Sequence, residues 1–211
     1  VRYLLRASRA FAELRQNEDA LRQEVQISTT LAQVGRDLTS SLATPVILER
    51  LCQLTSAVLG CESSHALLWN AEQDAYTPVA SWGYDPEQWE ELRNFSAPRQ
   101  SLIPFFRTLA REEVIAHGTP QTQSKIPSSL LTPFGFRTAL CFVLRRGNEV
   151  IGVQTVGSRG AMPHFTPQQH RLALGIAQFA ALALENARLL EQAESANRLK
   201  SDFLATVSHE L

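Results

Sequence analysis

The sequence predicts an α+β domain, an antiparallel sheet of five or six strands with flanking helices on one side, entered and left by long coiled-coil helices. Three observations carry this. Residues 1 to about 43 hold no Pro and a single Gly, Gly35. The middle of the chain alternates aromatic and aliphatic runs with turn residues, the pattern of hairpins. From Pro167 onward only Gly175 interrupts a helical run of about 45 residues. At ~1.5 Å per residue that run spans roughly 65 to 70 Å, longer than one domain needs.

In the first helix Leu4, Ala7, Phe11, Leu14, Leu21 and Val25 fall at alternating steps of three and four, interrupted by Glu18, as in the seam of a short coiled coil. After Val25 the phase slips, and Ile27, Leu31, Val34, Leu38 and Leu42 form a new stripe. One helix therefore serves two surfaces, a partner helix first and a globular domain second. Thr44 as N-cap and Pro45 at the first turn restart a helix, with Ile47, Leu48, Leu51, Leu54 and Val58 facing inward until Gly60. Ala66–Trp69 and Tyr76–Trp82, joined by the turn Asn70–Asp74, predict a hairpin. Asp85, Pro86 and Gln88 read as a capped start of a short helix through Phe95. Ser101–Arg111 predicts another helix and Val114–His117 a short strand. Gly118–Phe136 is polar and broken by Pro120, Pro127, Pro133 and Gly135, so a loop with at most one helical turn is expected there. Arg137–Leu144 and Val150–Val156 flank Gly147-Asn148, a two-residue hairpin signature. Thr166, Pro167 and Gln169 make a capping box for the last helix. On it Leu172, Phe179, Leu182, Leu189, Ala193, Ala196, Phe203 and Val207 occupy one a/d stripe, with Asn186 and Lys200 as polar members able to fix register in a parallel homodimer. The first two turns are expected to lie on the domain and the rest to need a partner.

Composition narrows the function classes. With 211 residues, 44% of them hydrophobic, the chain can hold one core of ordinary size plus extended helices. A net charge of −1 without a basic, aromatic-studded patch argues against nucleic acid as a partner. Cys52, Cys61 and Cys141 have neither disulfide-framework nor zinc spacing, and no metal site is predicted. A reducing cytoplasm fits. No apolar run approaches the eighteen residues of a membrane span, so an anchor, if the parent protein has one, lies upstream of Val1.

The last twelve residues read KSDFLATVSHEL. His209 is followed at once by Glu210, an imidazole beside a carboxylate that can orient or deprotonate it. Lys200, Phe203, Leu204, Ala205, Thr206, Val207, Ser208, His209, Glu210 and Leu211 resemble the phosphoacceptor segment, or H-box, of bacterial sensor histidine kinases. The resemblance implies that His209 takes the γ-phosphoryl of ATP, with Glu210 as neighbouring acid/base, and passes it to an aspartate on a response-regulator receiver domain. In that family an Arg-Thr-Pro-Leu run and a separate ATP-binding domain follow, and ATP and Mg bind there. No Gly-rich phosphate loop stands in for them here, so the chain alone is expected to hold no cofactor and to be inactive. Beginning with Val1, it reads as an internal fragment of a longer protein.

A second resemblance covers residues 28 to 190. Arg145–Val153, then Phe165-Thr166-Pro167, then Ala177–Leu189 are similar to the closing hairpin and final helix of GAF domains, sensory modules that bind small molecules, chromophores or nothing. Residues 1–27 would then be a signalling helix, 28–190 the GAF domain, and 191–211 the linker and start of the phosphoacceptor domain. Bilin-binding members carry a cysteine before the last hairpin; residues 118 to 136 contain none, so a covalent bilin is not expected. The constellation of cyclic-nucleotide-binding members is absent too. His65, His117 and His164 are weighed as haem ligands against hydrogen-bonded structural residues, which the sequence favours. Cys141 reads as a small core residue before a redox sensor, and Trp69, Trp82 and Tyr84 as core before pocket lining. Any unknown small ligand should sit between the sheet and the Gly118–Phe136 segment, with Arg137 as the nearby cation. The expectation is a GAF input domain whose state reaches His209 through dimeric helices; the alternative is a non-catalytic dimerisation or ligand-binding module in a degenerate kinase.

Overall fold

The computed structural model describes the backbone of residues 2–39, 43–118, 124–160 and 164–210, and side chains within 15–39, 43–118, 124–160 and 164–201 except 16, 17 and 20. The elements are α1 (Arg2–Thr39), α2 (Thr44–Leu59), β1 (Ser63–Asn70), β2 (Ala75–Trp82), α3 (Pro86–Arg93), β3 (Ala97–Pro98), α4 (Arg99–Glu112), β4 (Val114–His117), β5 (Thr138–Arg146), β6 (Glu149–Ser158) and α5 (Pro167–Glu210), with a single 3-10 turn at Ser128–Leu130. Six antiparallel strands form one curled sheet in the order β3-β2-β1-β6-β5-β4. The last strand thus inserts beside the first. The two-residue β3 goes unpredicted because a Pro and an Ala carry no strand signature.

Alternation sets two cores. Leu140, Phe142 and Leu144 of β5 face one side and Ala139, Cys141 and Val143 the other. Every residue from Thr138 to Leu144 is therefore buried. Helices lie on both sides of the sheet, correcting the expectation of one covered side. Under the first face sit α1, α2 and α5, whose Leu38, Ile47, Leu51, Ile176 and Ala180 join Leu140, Phe142 and Val156. Under the second, Leu102, Phe105 and Leu109 of α4 and Ile126, Leu130, Phe134 and Phe136 of the cover segment meet Leu67, Cys141 and Val153.

In the first layer α1 and α5 run parallel. Cβ atoms placed on Gly35 and Gly175 would come within 2.6 Å of Phe179 and Leu31 respectively, so two bare helix surfaces let the rods close on each other's side chains. α2 runs the other way, its last turn accepting a 2.8 Å hydrogen bond from Gln169 Nε2 to the Leu59 carbonyl. Among the described residues, the middle of α1 and the first half of α5 are held. Residues 21–26 and 191–201 are exposed. The free stretches of α1 and α5 consequently leave the domain from opposite ends.

Several local expectations change. Ala43, in extended conformation, is the residue before α2, and Thr44 is the first helical residue; no side chain caps this end. Asp85 occupies the N-cap of α3 without a side-chain bond. The capping box of α5 forms: the Thr166 N–H donates to Gln169 Oε1 at 2.8 Å and the Gln169 N–H to Thr166 Oγ1 at 3.2 Å. Packing of α5 on the domain runs well beyond two turns, through Leu172, Ile176, Ala180, Ala183 and Ala187. Leu172 and Phe179 thus face the domain, whereas Leu182 and Leu189 remain half exposed. This long buried stripe also explains why α5 is apolar enough by composition to cross a membrane. The side chains of Leu4, Ala7, Phe11, Leu14, Phe203 and Val207 lie outside the described residues.

Candidate functional site

The end of the sheet where β1 leaves α2 is polar inside. Gly60 closes α2 in the left-handed conformation (φ 67°), which a side chain would strain, and turns the chain directly into β1. Two residues into the strand, His65 projects into the second core with no exposed surface. Its ring stacks on Phe134 of the cover segment at 3.6 Å between centroids and 18° between planes, and lies nearly parallel to Phe136 at 5.6 Å. Nδ1 is 3.1 Å from the Tyr84 hydroxyl, and Nε2 has no partner. Burial drives the His65 pKa down to about 3, so the ring is neutral at physiological pH. The same burial holds the Tyr84 phenol well above its ordinary range, against hydrogen bonding and the nearby Arg159 cation.

Above this pair a surface cleft of about 320 Å3 is lined by Tyr84, Gln88, Glu91, Leu92, Thr132, Pro133, Phe134, Gly135 and Arg159. Arg159 follows β6 directly. Its guanidinium carbon lies 5.1 Å from the Tyr84 ring centroid, its Nη2 donates to Gln88 Oε1 at 3.2 Å, and its backbone N–H donates to Glu62 at 3.0 Å. Among the described residues no carboxylate forms an ion pair with it. The cleft thus joins a cation, an amide and two aromatic rings. Its groups offer charge-assisted hydrogen bonds from Arg159 and neutral ones from Gln88.

The space directly between the sheet and residues 124–136 is filled by Ile126, Leu130, Leu131, Phe134 and Phe136; residues 119–123 lie outside the described residues. Arg137, the cation expected here, is exposed and does not line the cleft; Arg159 takes that role. Only the register of β6 reveals this, since Ser158 pairs with Thr138 and places the next residue beside the β2–α3 connection. Tyr84 belongs to the cleft, Trp69 packs on Tyr76 at 5.4 Å under Arg99, and Trp82 is half exposed. Cys141 is fully buried, its Sγ 3.3 Å from Thr155 Oγ1, and desolvation pushes its thiol up to about 12, which makes it inert as a nucleophile. His117 on edge strand β4 and His164 before α5 are not brought together with His65, and among the described residues no cluster of three or more His, Cys, Asp or Glu could hold a metal ion.

The opposite end of the sheet meets α5. Gly147, at φ 60°, turns the β5–β6 hairpin so closely past the helix that a Cβ there would lie 3.4 Å from the Glu185 carboxylate. Glu185 accepts from Arg188 Nε at 3.0 Å, a contact that lowers its pKa. Beyond Leu190 the described residues of α5, 191–201, are exposed, and its backbone is helical through His209 and Glu210. The side chains of those two residues lie outside the described ones.

The fold has relatives. The GAF domain from an Acinetobacter phosphoenolpyruvate-protein phosphotransferase superimposes with a TM-score of 0.57 at 15% identity, over 76% of this chain and 93% of that one. The GAF domain of a putative sensor histidine kinase from Pseudomonas syringae pv. tomato gives 0.58 at 16% identity, over 85% and 99%. A bacteriophytochrome from the photosynthetic bacterium R. palustris gives 0.63 at 14% identity, over 83% of this chain but only 41% of that one. No curated protein matches the chain by sequence. The family profile for the GAF domain matches residues 35–185, and with the six-stranded sheet this establishes that the chain belongs to the GAF domain family.

Proposed function

We propose that the chain is the cytoplasmic GAF input module of a two-component sensor histidine kinase, with His209 as the phosphoacceptor. One observation carries this: residues 200–210 of the KSDFLATVSHEL string lie on the same uninterrupted helix that closes the GAF domain. The fold likeness to a GAF domain of a putative sensor histidine kinase accords with it. In this reading two copies associate in parallel through the projecting stretches of α1 and α5, where Leu21, Val25, Leu182, Leu189 and Leu199 are exposed. A ring nitrogen of His209 attacks the γ-phosphorus of ATP held with Mg in a catalytic domain beyond Leu211. The bond to ADP breaks, and the displaced ring proton passes to Glu210. The phosphoryl group then moves to an aspartate of a response regulator. The GAF domain sets the rate by changing how α5 leaves the domain, since that helix is the one covalent path from sensor to His209.

The test is phosphorylation of the full-length kinase with γ-labelled ATP. His209→Gln should abolish the acid-labile phosphate, and label surviving that substitution would refute the assignment. A wild-type protein that takes up no phosphate would favour a non-catalytic dimerisation or ligand-binding module.

A further inference from the structure

We infer that α1 is a second input to α5: two reciprocal glycine seats hold the two helices in a single register, so a turn or shift of the free stretch of α1 reaches the exit helix without passing through the sheet. The register rests on packing alone, and its effect on His209 rests on the kinase reading above.

The seats are complementary. Gly35 of α1 faces Phe179 of α5, and Gly175 of α5 faces Leu31 of α1; a Cβ on either glycine would come within 2.6 Å of the opposing side chain. Both glycines are buried, and both large side chains are half-buried against the core of this layer. On each helix the glycine and the large residue stand one turn apart, at i and i+4. Because the helices run parallel, the order along the contact is large on small, then small on large. Such a pair of steps has one fit. Advancing α1 by one turn, about 5.4 Å, toward the C-terminal end of α5 would set Leu31 against Phe179, two large side chains in one place. Moving it back by one turn would leave Gly35 opposite Gly175 and open a void. Turning either helix about its axis withdraws both side chains from their seats at once. Alanine favours a helix over glycine, so the close approach is what explains a glycine in the middle of each rod.

The neighbours of α1 decide where its movement goes. It packs chiefly on α5 and then on α2, and among the described residues no strand is one of its main contacts. Val34 and Leu38 continue the buried stripe beyond the first seat, whereas residues 21–26 are exposed, Leu21 by 66% and Val25 by 59%. A force on that free stretch therefore meets α5 before it meets the sheet. Close-packed surfaces with a single fit move as a unit instead of deforming. The sheet reaches α5 separately, through β5. The exit helix, exposed over residues 191–201 at the other end of the domain, thus sums two inputs.

Two measurements test this. In denaturant unfolding of the chain, Gly175→Ala should be less favourable by about fivefold or more in the folding constant when Leu31 is present than in a Leu31→Ala background, and Gly35→Ala should behave likewise toward Phe179→Ala. Effects that add to within about twofold would overturn the register. In the full-length kinase, two residues inserted after Gln23 turn what precedes them by roughly 200° relative to the seats, and seven by only about 20°. The shorter insertion should change His209 phosphorylation several-fold and the longer should restore it. In the Leu31→Ala/Phe179→Ala protein the two-residue insertion should have no effect; should that protein not fold, Leu31→Ala alone should weaken the response. Phosphorylation indifferent to the insertion with both seats intact, or equally responsive with the large side chains removed, would overturn the relay. The readings fail separately. A kinase phosphorylated at His209 whose unfolding effects are additive keeps the kinase reading and loses the seats, whereas a wild-type protein that takes up no phosphate loses the kinase reading and the relay to His209, with the register decided by unfolding.

Discussion

The two faces of the sheet differ in kind. The face under α1, α2 and α5 is lined mainly with Leu, Ile, Val and Ala; within it Gln154 donates to Ser64 Oγ and contacts Cys52 Sγ at 3.5 Å, and the small Ser56 hydroxyl of α2 is left unpaired among the described residues. Small residues let three helices close down until little can move without unpacking a neighbour. The face under α4 and the cover segment is built from rings, carries an unpaired His65 nitrogen, and opens at its edge into a cleft. The first layer is closed by small side chains, whereas the second is closed by rings. Both layers share β5 and β6, whose ends reach Arg159 on one side and Glu185 on the other.

The contrast can be broken most severely in the helical layer. Leu51→Ala, at a fully buried position, should cost about 2–5 kcal/mol in denaturant unfolding, because the surrounding helices cannot collapse into the void. A cost under about 1 kcal/mol would mean that this layer is as yielding as the other.

Acid should act chiefly on the aromatic layer. The folded-state pKa of His65, about 3, lies below its ordinary 6.5, so the unfolded chain binds the extra proton first. Stability is therefore lost as pH falls below about 6.5, at up to about 1.4 kcal/mol per pH unit from this residue, until the folded pKa is reached. His65→Phe should flatten the slope between pH 6.5 and 5, and unchanged slopes in thermal melts of the two proteins would contradict a buried neutral ring. Phe134→Leu removes the stacking partner of His65 at a buried position but keeps most of the apolar volume, so a loss of about 1–2 kcal/mol is expected in the same assay. Smallest is Thr166→Ala, which removes one half of the capping box and should cost about 1 kcal/mol while leaving the cleft untouched.

Much of the frame was legible in the sequence because local chemistry determines it. Val114–His117, the hairpin over Gly147-Asn148 and the Thr166–Gln169 box depend on residues within a few positions of one another, and all three form as expected. What was misjudged depends on distant partners. The unbroken apolar run of β5 is compatible with one covered face or two until α4 and the cover segment are placed. How far α5 clings to the domain depends on Gly35 and Leu31 of a helix some 140 residues earlier in the chain. The cleft was the least legible part. Tyr84, Phe134 and Arg159 lie on three segments, and the pairing of β1 with β2 and β6 and of β6 with β5 draws them together beside His65. The KSDFLATVSHEL string needed no fold at all to be noticed.

The claim that α5 carries the state of the domain to His209 is tested most directly by changing the length of that helix in the full-length kinase. Insertions after Ala193 fall in the exposed stretch, beyond the last contact with the domain. Two extra residues rotate everything downstream by roughly 200°, whereas seven rotate it by only about 20° in all. The account predicts that basal phosphorylation of His209 changes several-fold with the two-residue insertion and returns to near the wild-type rate with seven. A rate indifferent to both insertions would contradict it.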